Sequence, residues 1–461
     1  MEESKENLRL RESAGDKDWT KGSIIRNLWS LSWPVMIGNS VNMMGPTIDM
    51  IWVGKLGATA IAAVGVSGMA VMLTQSLMMG LFGGLRAMVA RFVGAGDSKA
   101  ANHVSQQAFI IGTVSAVIIA LIGIFFAEQI LMLMGVAPDV VVEGAAYMRI
   151  QFVGMITLSL RFMAEATMQA SGDVRTPMKI ALVFRVFHVV LCPFLVFGWW
   201  IFPQLGVRGA ALTNVFSQGL GTAIGLWILL TGRTRLRLSF RNFRIDPGVI
   251  WRLVKIGIPA SVMGVQQNLG QFLMIRLITS FGTIAMAAQT LGMRVDMLIF
   301  MPGGGVGMAA GTLAGQNLGA HQPERAERSG WLAVALTEAF MIVCSILILI
   351  WAEKLVHVFT SDAELIIMTS RFLRIASVSY MIMGFPNVMM QCISGVGDTL
   401  PPMVWSMVTL WLISLPLAYF LSQHTALGVY GIRWAGVAAT VVGAIGYTTY
   451  FALGRWKRKR V

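Results

Sequence analysis

The chain has 461 residues, of which 56% are hydrophobic and only 13% charged, with a mean hydropathy of +0.70. That composition excludes a soluble domain and belongs to a polytopic membrane protein. The net charge of +14 is carried between and beyond the apolar segments, which excludes a nucleic-acid footprint. Cys192, Cys344 and Cys392 all lie in apolar segments, which excludes a disulfide framework.

Residues 1–25 have no apolar core, so no cleavable signal peptide is expected and the segment reads as a polar cytoplasmic arm. Each crossing of a bilayer needs about 20 apolar residues. On that basis twelve helices are expected, at 28–52, 59–92, 105–127, 141–170, 177–201, 207–231, 250–279, 285–317, 330–352, 363–394, 402–422 and 428–454. Lys and Arg concentrate in the arm, in the segments after every second helix, in the basic linker 232–249 and in the tail 455–461. The positive-inside rule then puts both termini in the cytoplasm.

The first helix carries the strongest chemical signal. Asn39, Asn42, Pro46 and Asp49 follow one another at helical spacing on one face of an otherwise apolar span. A carboxylate at membrane depth faces a bundle interior or a watered cavity and marks an ion path. Pro46 removes an amide one turn before Asp49 and, with Pro34, is a hinge candidate.

An internal repeat is the second signal. Pro34 pairs with Pro259, Gly57–Ala63 with Gly282–Ala288, Gly94-Ala95 with Gly319-Ala320, Gly172-Asp173 with Gly397-Asp398 and Pro177 with Pro402, each displaced by 225 residues. Two parallel six-helix halves are expected, 26–231 and 250–454, the usual design for alternating access. The charges are not duplicated. Asp49 is matched by Met274, Glu165 by Met390, and His188 by no ionisable residue. Ion coupling is therefore expected in the first half alone.

Four acids fall within spans: Asp49, Glu165, Asp296 and Glu338. Glu165 stands one turn from Arg161, so an internal ion pair is one reading. On the next helix Arg185 falls at the depth of Glu165 and His188, slightly deeper, at that of Arg161, and Asn214 on the sixth can add an oxygen or amide. That supports the other reading, a proton or small-cation site built from Asp49, Glu165, His188 and Asn214. Asp296 lies two residues beyond Arg294 and needs a partner on another helix, while Glu338 reads as structural. Gln267 and Gln271 share a face and look like cavity lining. With Asn39, Asn42, Arg161, Arg185, Arg294 and Asp296 they make up the expected substrate cavity. Thirty-two Met and fourteen Trp suit a pliant pocket for varied apolar ligands. Gly303-Gly-Gly305 after Pro302 reads as a close-packing or flexing point. The chain shows no phosphate-cradling Gly-Lys-Ser loop, no zinc-spaced Cys/His set and no nucleophile-base pair. Neither an enzyme nor an ATP-driven pump is expected, nor a cofactor or bound metal.

Ile48-Asp-Met-Ile-Trp-Val-Gly-Lys-Leu-Gly57, the Gly94-Ala-Gly-Asp97 and Gly319-Ala320 turns, and Ser171-Gly-Asp-Val-Arg-Thr-Pro177 with its copy Ser394-Gly-Val-Gly-Asp-Thr-Leu-Pro401 carry a resemblance. In that combination the chain resembles the multidrug and toxic compound extrusion (MATE) family over nearly its whole length after residue 25. The resemblance implies a V-shaped, two-lobed, twelve-helix antiporter that expels organic, often cationic, compounds against H⁺ or Na⁺. It looks closer to the DinF-like or archaeal branch than to the NorM branch, whose carboxylates in helices seven and ten are absent. The DinF-like pattern relies on the first-helix Asp, matched by Asp49, with polar residues at Glu165, His188 and Asn214. That branch's Asp before a Pro in helix five is here Cys192 before Pro193. The expectation is a monomeric plasma-membrane multidrug exporter driven by H⁺, with Na⁺ as the other candidate ion. The alternatives are a flippase for a lipid-linked anion, favoured if Arg161, Arg185 and Arg294 face the cavity, and a passive pore.

Overall fold

The computed structural model describes residues 18–135, 138–241 and 243–459, with Ala58 and Asp139 described by backbone alone. Most of the arm expected over 1–25, and the last two residues of the tail, lie outside the described residues. The rest is mostly helical, the longest non-helical stretch running through the linker near 232–246, with no strand among the described residues. Twelve long helices follow in order: α1 (Ile24–Val53), α2 (Ala58–Gly94), α3 (Ser98–Leu133), α4 (Pro138–Ser171), α5 (Arg175–Phe197), α6 (Val207–Thr231), α7 (Pro247–Thr279), α8 (Thr283–Gly319), α9 (Pro323–His357), α10 (Ala363–Gly395), α11 (Leu400–Gln423) and α12 (Val429–Ala452). Within α11 the stretch Val408–Ser414 is π-helical.

Eleven of the twelve are long and apolar enough to cross a membrane. The exception is α1, where the polar residues that single it out also dilute its hydropathy. At about 1.5 Å per residue its 30 residues still outreach a bilayer core. Large apolar side chains are exposed along the other helices, including Phe125 at 69% and Ile350 at 61%, as lipid-facing surfaces require. The chain is a multi-pass membrane protein.

Sequence-coded stops and starts set the helix ends. The Asp97 carboxylate accepts from Ala100 N at 2.9 Å to start α3, and Asp362 accepts from Leu365 N at 3.1 Å to start α10. Gly198 and Gly232 take left-handed conformations that close α5 and α6.

The described residues form two compact units. The first holds Ile37–Ser261, and the second holds Trp19–Met36 with the chain from Val262 onward. Both divisions fall inside a helix, α1 and α7, rather than at the 232–249 linker. The linker is docked on the first unit. Ser239 O accepts from Asn102 Nδ2 at 3.3 Å and from Gln106, and Arg244 O accepts from Gln107 Nε2 at 2.7 Å. Asp246 meets His103 Nε2 at 3.2 Å. The segment before α1 is tied into the second unit by Arg325 Nη2, which donates to Gly22 O at 2.7 Å, and Asn27 Nδ2 folds that segment onto the start of α1 by donating to Trp19 O and Lys21 O at 3.2 and 2.9 Å.

Inside each unit the repeat recurs as packing. In the first, α4 packs on α2, α3 and α6; in the second its repeat equivalent α10 packs on α8, α9 and α12. Ala127, Leu131, Met148, Phe152 and Met155 fill the core between α2, α3 and α4, and Ile299, Met341, Ile348, Leu373 and Tyr380 fill the counterpart. The glycine run of α8 is used for close packing: a Cβ on Gly303 would lie 2.8 Å from Met341 Cε, and one on Gly305 2.3 Å from Met36 Cγ.

Candidate functional site

The residues singled out from sequence converge where α1, α5 and α6 of the first unit meet. Asp49 sits one turn before the end of α1 and is 3% exposed. Its Oδ1 lies 3.0 Å from His188 Nε2 and its Oδ2 accepts from Asn214 Nδ2 at 2.6 Å. The Cys192 thiol reaches the same Oδ1 at 3.8 Å. His188 and Cys192 share one face of α5 because four residues separate them. Both are fully buried.

A second layer fixes the tautomer. Arg185 Nη1 is 2.9 Å from His188 Nδ1. A guanidinium only donates, so Nδ1 accepts and the imidazole hydrogen sits on Nε2, pointing at Asp49. Arg185 Nε and Nη2 donate to Val41 O and Asn42 O, each at 2.9 Å. Pro46 has no N–H, so Asn42 O is the carbonyl that the proline strips of its helical donor. The arginine replaces that donor. It can do so because residue 45 is glycine: a Cβ there would stand 2.4 Å from Arg185 Nη1.

Glu165 forms a separate group. Its carboxylate pairs with Arg161 Nη1, and Arg161 Nε donates to Gln218 Oε1 at 2.5 Å. Among the described residues Glu165 makes no hydrogen bond or ion pair with Asp49 or His188. The expected single network of Asp49, Glu165 and His188 is therefore two groups, and the i, i+4 pair claims the glutamate. Phe184 stands between them, its ring centroid 4.7 Å from the Arg161 guanidinium carbon and 5.3 Å from that of Arg185.

The other candidates are dispersed. Asn39 and Asn42 are half-buried on α1, and the Asn42 side-chain oxygen is buried without a hydrogen-bond partner among the described residues. Pro34 is buried and Pro46 exposed, and α1 runs as one helix through both. Gln267, Gln271 and Arg294 are exposed on the second unit. Asp296 has the off-helix partners its spacing demanded: Tyr380 OH donates to its Oδ1, and Arg433 Nη1 lies 3.1 Å from its Oδ2.

Two participants were not among the expected site residues. Gln218 follows Asn214 by one helical turn, which is the signal that finds it. Cys192 stands out in the sequence only as a departure from the family pattern, because a thiol in an apolar run reads as packing. The Asp49, His188 and Cys192 ligand atoms lie within 4.8 Å of one another, a metal-ligating set by composition. The donor pattern argues otherwise. His188 Nε2 carries a hydrogen while Arg185 holds Nδ1, and a guanidinium beside the imidazole opposes a second cation.

Three comparisons agree with this architecture. The MatE family description matches residues 34–194 and 259–420, one match in each repeat. A protein of Bacillus subtilis (strain 168) named probable multidrug resistance protein YoeA is 27% identical, over 96% of each chain. A Thermotoga maritima protein named probable multidrug resistance protein NorM is 24% identical, over 95% of this chain and 94% of its own. A crystal structure described as MATE in the bent conformation superposes with a TM-score of 0.87 at 22% identity, covering 95% of this chain and 96% of that one. With matches spanning both repeats, the chain belongs to the MatE family of membrane transporters and is not an enzyme.

Proposed function

We propose that this protein is a secondary-active efflux antiporter that exports organic compounds, multiple drugs among them, in exchange for inward H⁺. The names of its relatives support the substrate class, and the observation that carries the coupling is the buried Asp49 carboxylate with its three donors. His188 Nε2–H, Asn214 N–H and the Cys192 thiol all present hydrogens to it. A Na⁺ ion needs oxygen ligands in their place, so the site suits a proton better.

Protonation changes what Asp49 can accept. A neutral carboxyl brings its own hydrogen into a pocket already filled with donors, and the bond from His188 or Asn214 must yield. His188 is held by Arg185, and Arg185 holds the carbonyls of α1 at the Pro46 break. The proton is thereby read out at the bend of the helix that bears it. A change there in the first unit, alternating with substrate release, gives the exchange cycle. One charge moving inward gains about 2.3 kcal/mol per 100 mV. The Lys and Arg distribution favours cytoplasmic termini, and a single chain suffices for the cycle.

Against the lipid-anion alternative, Arg161 and Arg185 are engaged by Glu165, Gln218, His188 and the α1 backbone, which leaves the exposed Arg294 as its support. The test is efflux by proteoliposomes carrying Asp49→Asn under an imposed pH gradient, with a Na⁺ gradient as the second arm. Loss of pH-driven export is expected. Undiminished export at equal incorporation removes Asp49 from the mechanism, and export driven by Na⁺ alone removes the proton.

A further inference from the structure

The second unit contains a buried acid that the site above does not use. Glu338 lies midway along α9, 7% exposed, and the nearest charged residues on its own helix are Arg328 and Glu353. Its Oε1 accepts from the backbone N–H of Phe385 at 3.1 Å. Its Oε2 is buried with no hydrogen-bond partner among the described residues. A Cβ on Gly384 would lie 2.8 Å from Oε1, so the carboxyl is pressed directly on the backbone of α10. The next residue after Phe385 is Pro386, which has no N–H and leaves Ile382 O without its helical donor.

Among the described residues no cation compensates this acid. α9 packs on α8 and α10. The ionisable residues of α8 are Arg294, which is exposed, and Asp296. Those of α10 are Glu364, Arg371, Arg374, Tyr380 and Cys392, and α12 adds Arg433 behind them. Tyr380 and Arg433 both bond Asp296, Arg374 pairs with Glu353, and none of them bonds Glu338 among the described residues. A carboxylate met only by the neutral backbone N–H groups of Phe385 and Gly384, with its other oxygen bare, is costly inside a protein, whereas a carboxylic acid there can donate as well as accept.

The repeat adds a second, independent argument. Displaced by 225 residues, Glu338 corresponds to Thr113 and Gly384 to Ser159. At those two positions the first unit makes uncharged contacts, with Thr113 Oγ1 donating to Phe109 O at 2.6 Å and Ser159 Oγ to Gly112 O at 3.3 Å, and the Arg149–Glu128 ion pair of the same two helices is half-exposed. Glu338 is thus to the second unit what Asp49 is to the first: an unduplicated acid set beside a proline-interrupted helix.

We propose that Glu338 is a second proton-binding site of this protein, belonging to the second unit and acting on the Pro386 break of α10. With its proton the side chain has a hydrogen to offer at the break, where Pro386 leaves Ile382 O without its helical donor. Without it the side chain only accepts, and the break loses that donor. This extends the exchange reading above from one titrating acid to two, and it rests on that reading only for its role in transport.

The test separates proton binding from transport. Infrared difference spectra of the full chain in lipid nanodiscs, stepped from mildly acidic to alkaline buffer without substrate, read carboxylic C=O bands directly. A band is expected in the parent protein that Glu338→Gln removes, Glu338→Asp shifts and Asp49→Asn leaves in place. A spectrum unaltered by Glu338→Gln overturns the proposal, as does a carboxylate signal for Glu338 throughout the range. Thermal melting of both Glu338 variants checks folding, and if Glu338→Gln does not fold, the shifted band of Glu338→Asp decides. In proteoliposomes Glu338→Gln is expected to flatten the pH dependence of export severalfold. A missing pH-driven export with the infrared band present sinks the exchange reading and leaves the site standing.

Discussion

Arg185 Nη2 lies 2.9 Å from Asn42 O, the carbonyl that Pro46 leaves without a donor. One side chain of α5 thus repairs the backbone of α1 and, through Nη1, orients the imidazole that faces Asp49. Lysine in its place has a single ammonium and cannot span three acceptors. Arg185→Lys is expected to lower the thermal midpoint in detergent, at about 1.5–3 kcal/mol for each charged hydrogen bond lost. Gly45→Ala, which displaces the guanidinium without removing any polar group, should lower it as well. A Lys variant as stable as its parent would show that the repair is unnecessary.

The Arg161–Glu165 pair should behave as structure rather than as a coupling site. Removing Arg161 alone strands a buried carboxylate, and Arg161→Met is expected to cost about 3–5 kcal/mol. Arg161→Met combined with Glu165→Met should recover most of that loss, because the lone charge is gone. Denaturation of the two single variants and the double variant completes the cycle. Retained pH-driven export in the double variant would confirm that the pair stands apart from Asp49.

Cys192→Asp brings a second carboxylate to the place where the thiol now lies 3.8 Å from Asp49 Oδ1. Two buried carboxylates at that range cannot both ionise without a cation between them. Na⁺ is expected to raise the melting temperature of this variant and to leave the parent unchanged. An equal Na⁺ response in both would mean that the parent site already accepts the ion.

Asp246 gives a pH dependence outside the membrane. Backbone N–H donors, Val249 first, and His103 hold its carboxyl below the ordinary carboxylate range. A lowered native value stabilises the docked linker above about pH 4 and loses that contribution as pH falls through the native value. Limited proteolysis of the 232–246 segment should therefore be slow near neutrality and accelerate at acidic pH. Asp246→Ala should cleave quickly at every pH tested. A flat pH profile in the parent would mean that docking depends on the other linker contacts.

Trp456 is fully buried beyond the end of α12, stacked on Phe451 at 4.8 Å with its Nε1 donating to Phe451 O at 2.9 Å. Trp456→Ala is expected to destabilise the second unit by about 3–5 kcal/mol. Differential scanning fluorimetry of the purified protein reads this. An unchanged melting curve would make the tail dispensable.

Hydropathy and the 225-residue displacement made the twelve helices and two repeats legible, since both follow from composition and order. Asp49, His188 and Asn214 were legible for a related reason: a polar residue in a bilayer-spanning run has few explanations. The partition of charges was not. Depth alone matches Glu165 with Arg185 and Arg161 with His188, but rotation about the helix axis aims Glu165 at Arg161, and a linear count carries no azimuth. The role of Arg185 was hidden because its acceptors, Val41 O and Asn42 O, are backbone atoms of a helix remote in sequence. Even so, Pro46 announced that one carbonyl would be in need. The fate of the basic linker was equally opaque, since its anchors are amides on α3 that look like ordinary helix surface.

The first half of α1 belongs with the second unit, and the first half of α7 belongs with the first. A gene divided at residue 242 would therefore encode two fragments that each lack part of their own bundle and carry part of the other. Such fragments should be inert singly and regain export only when co-expressed.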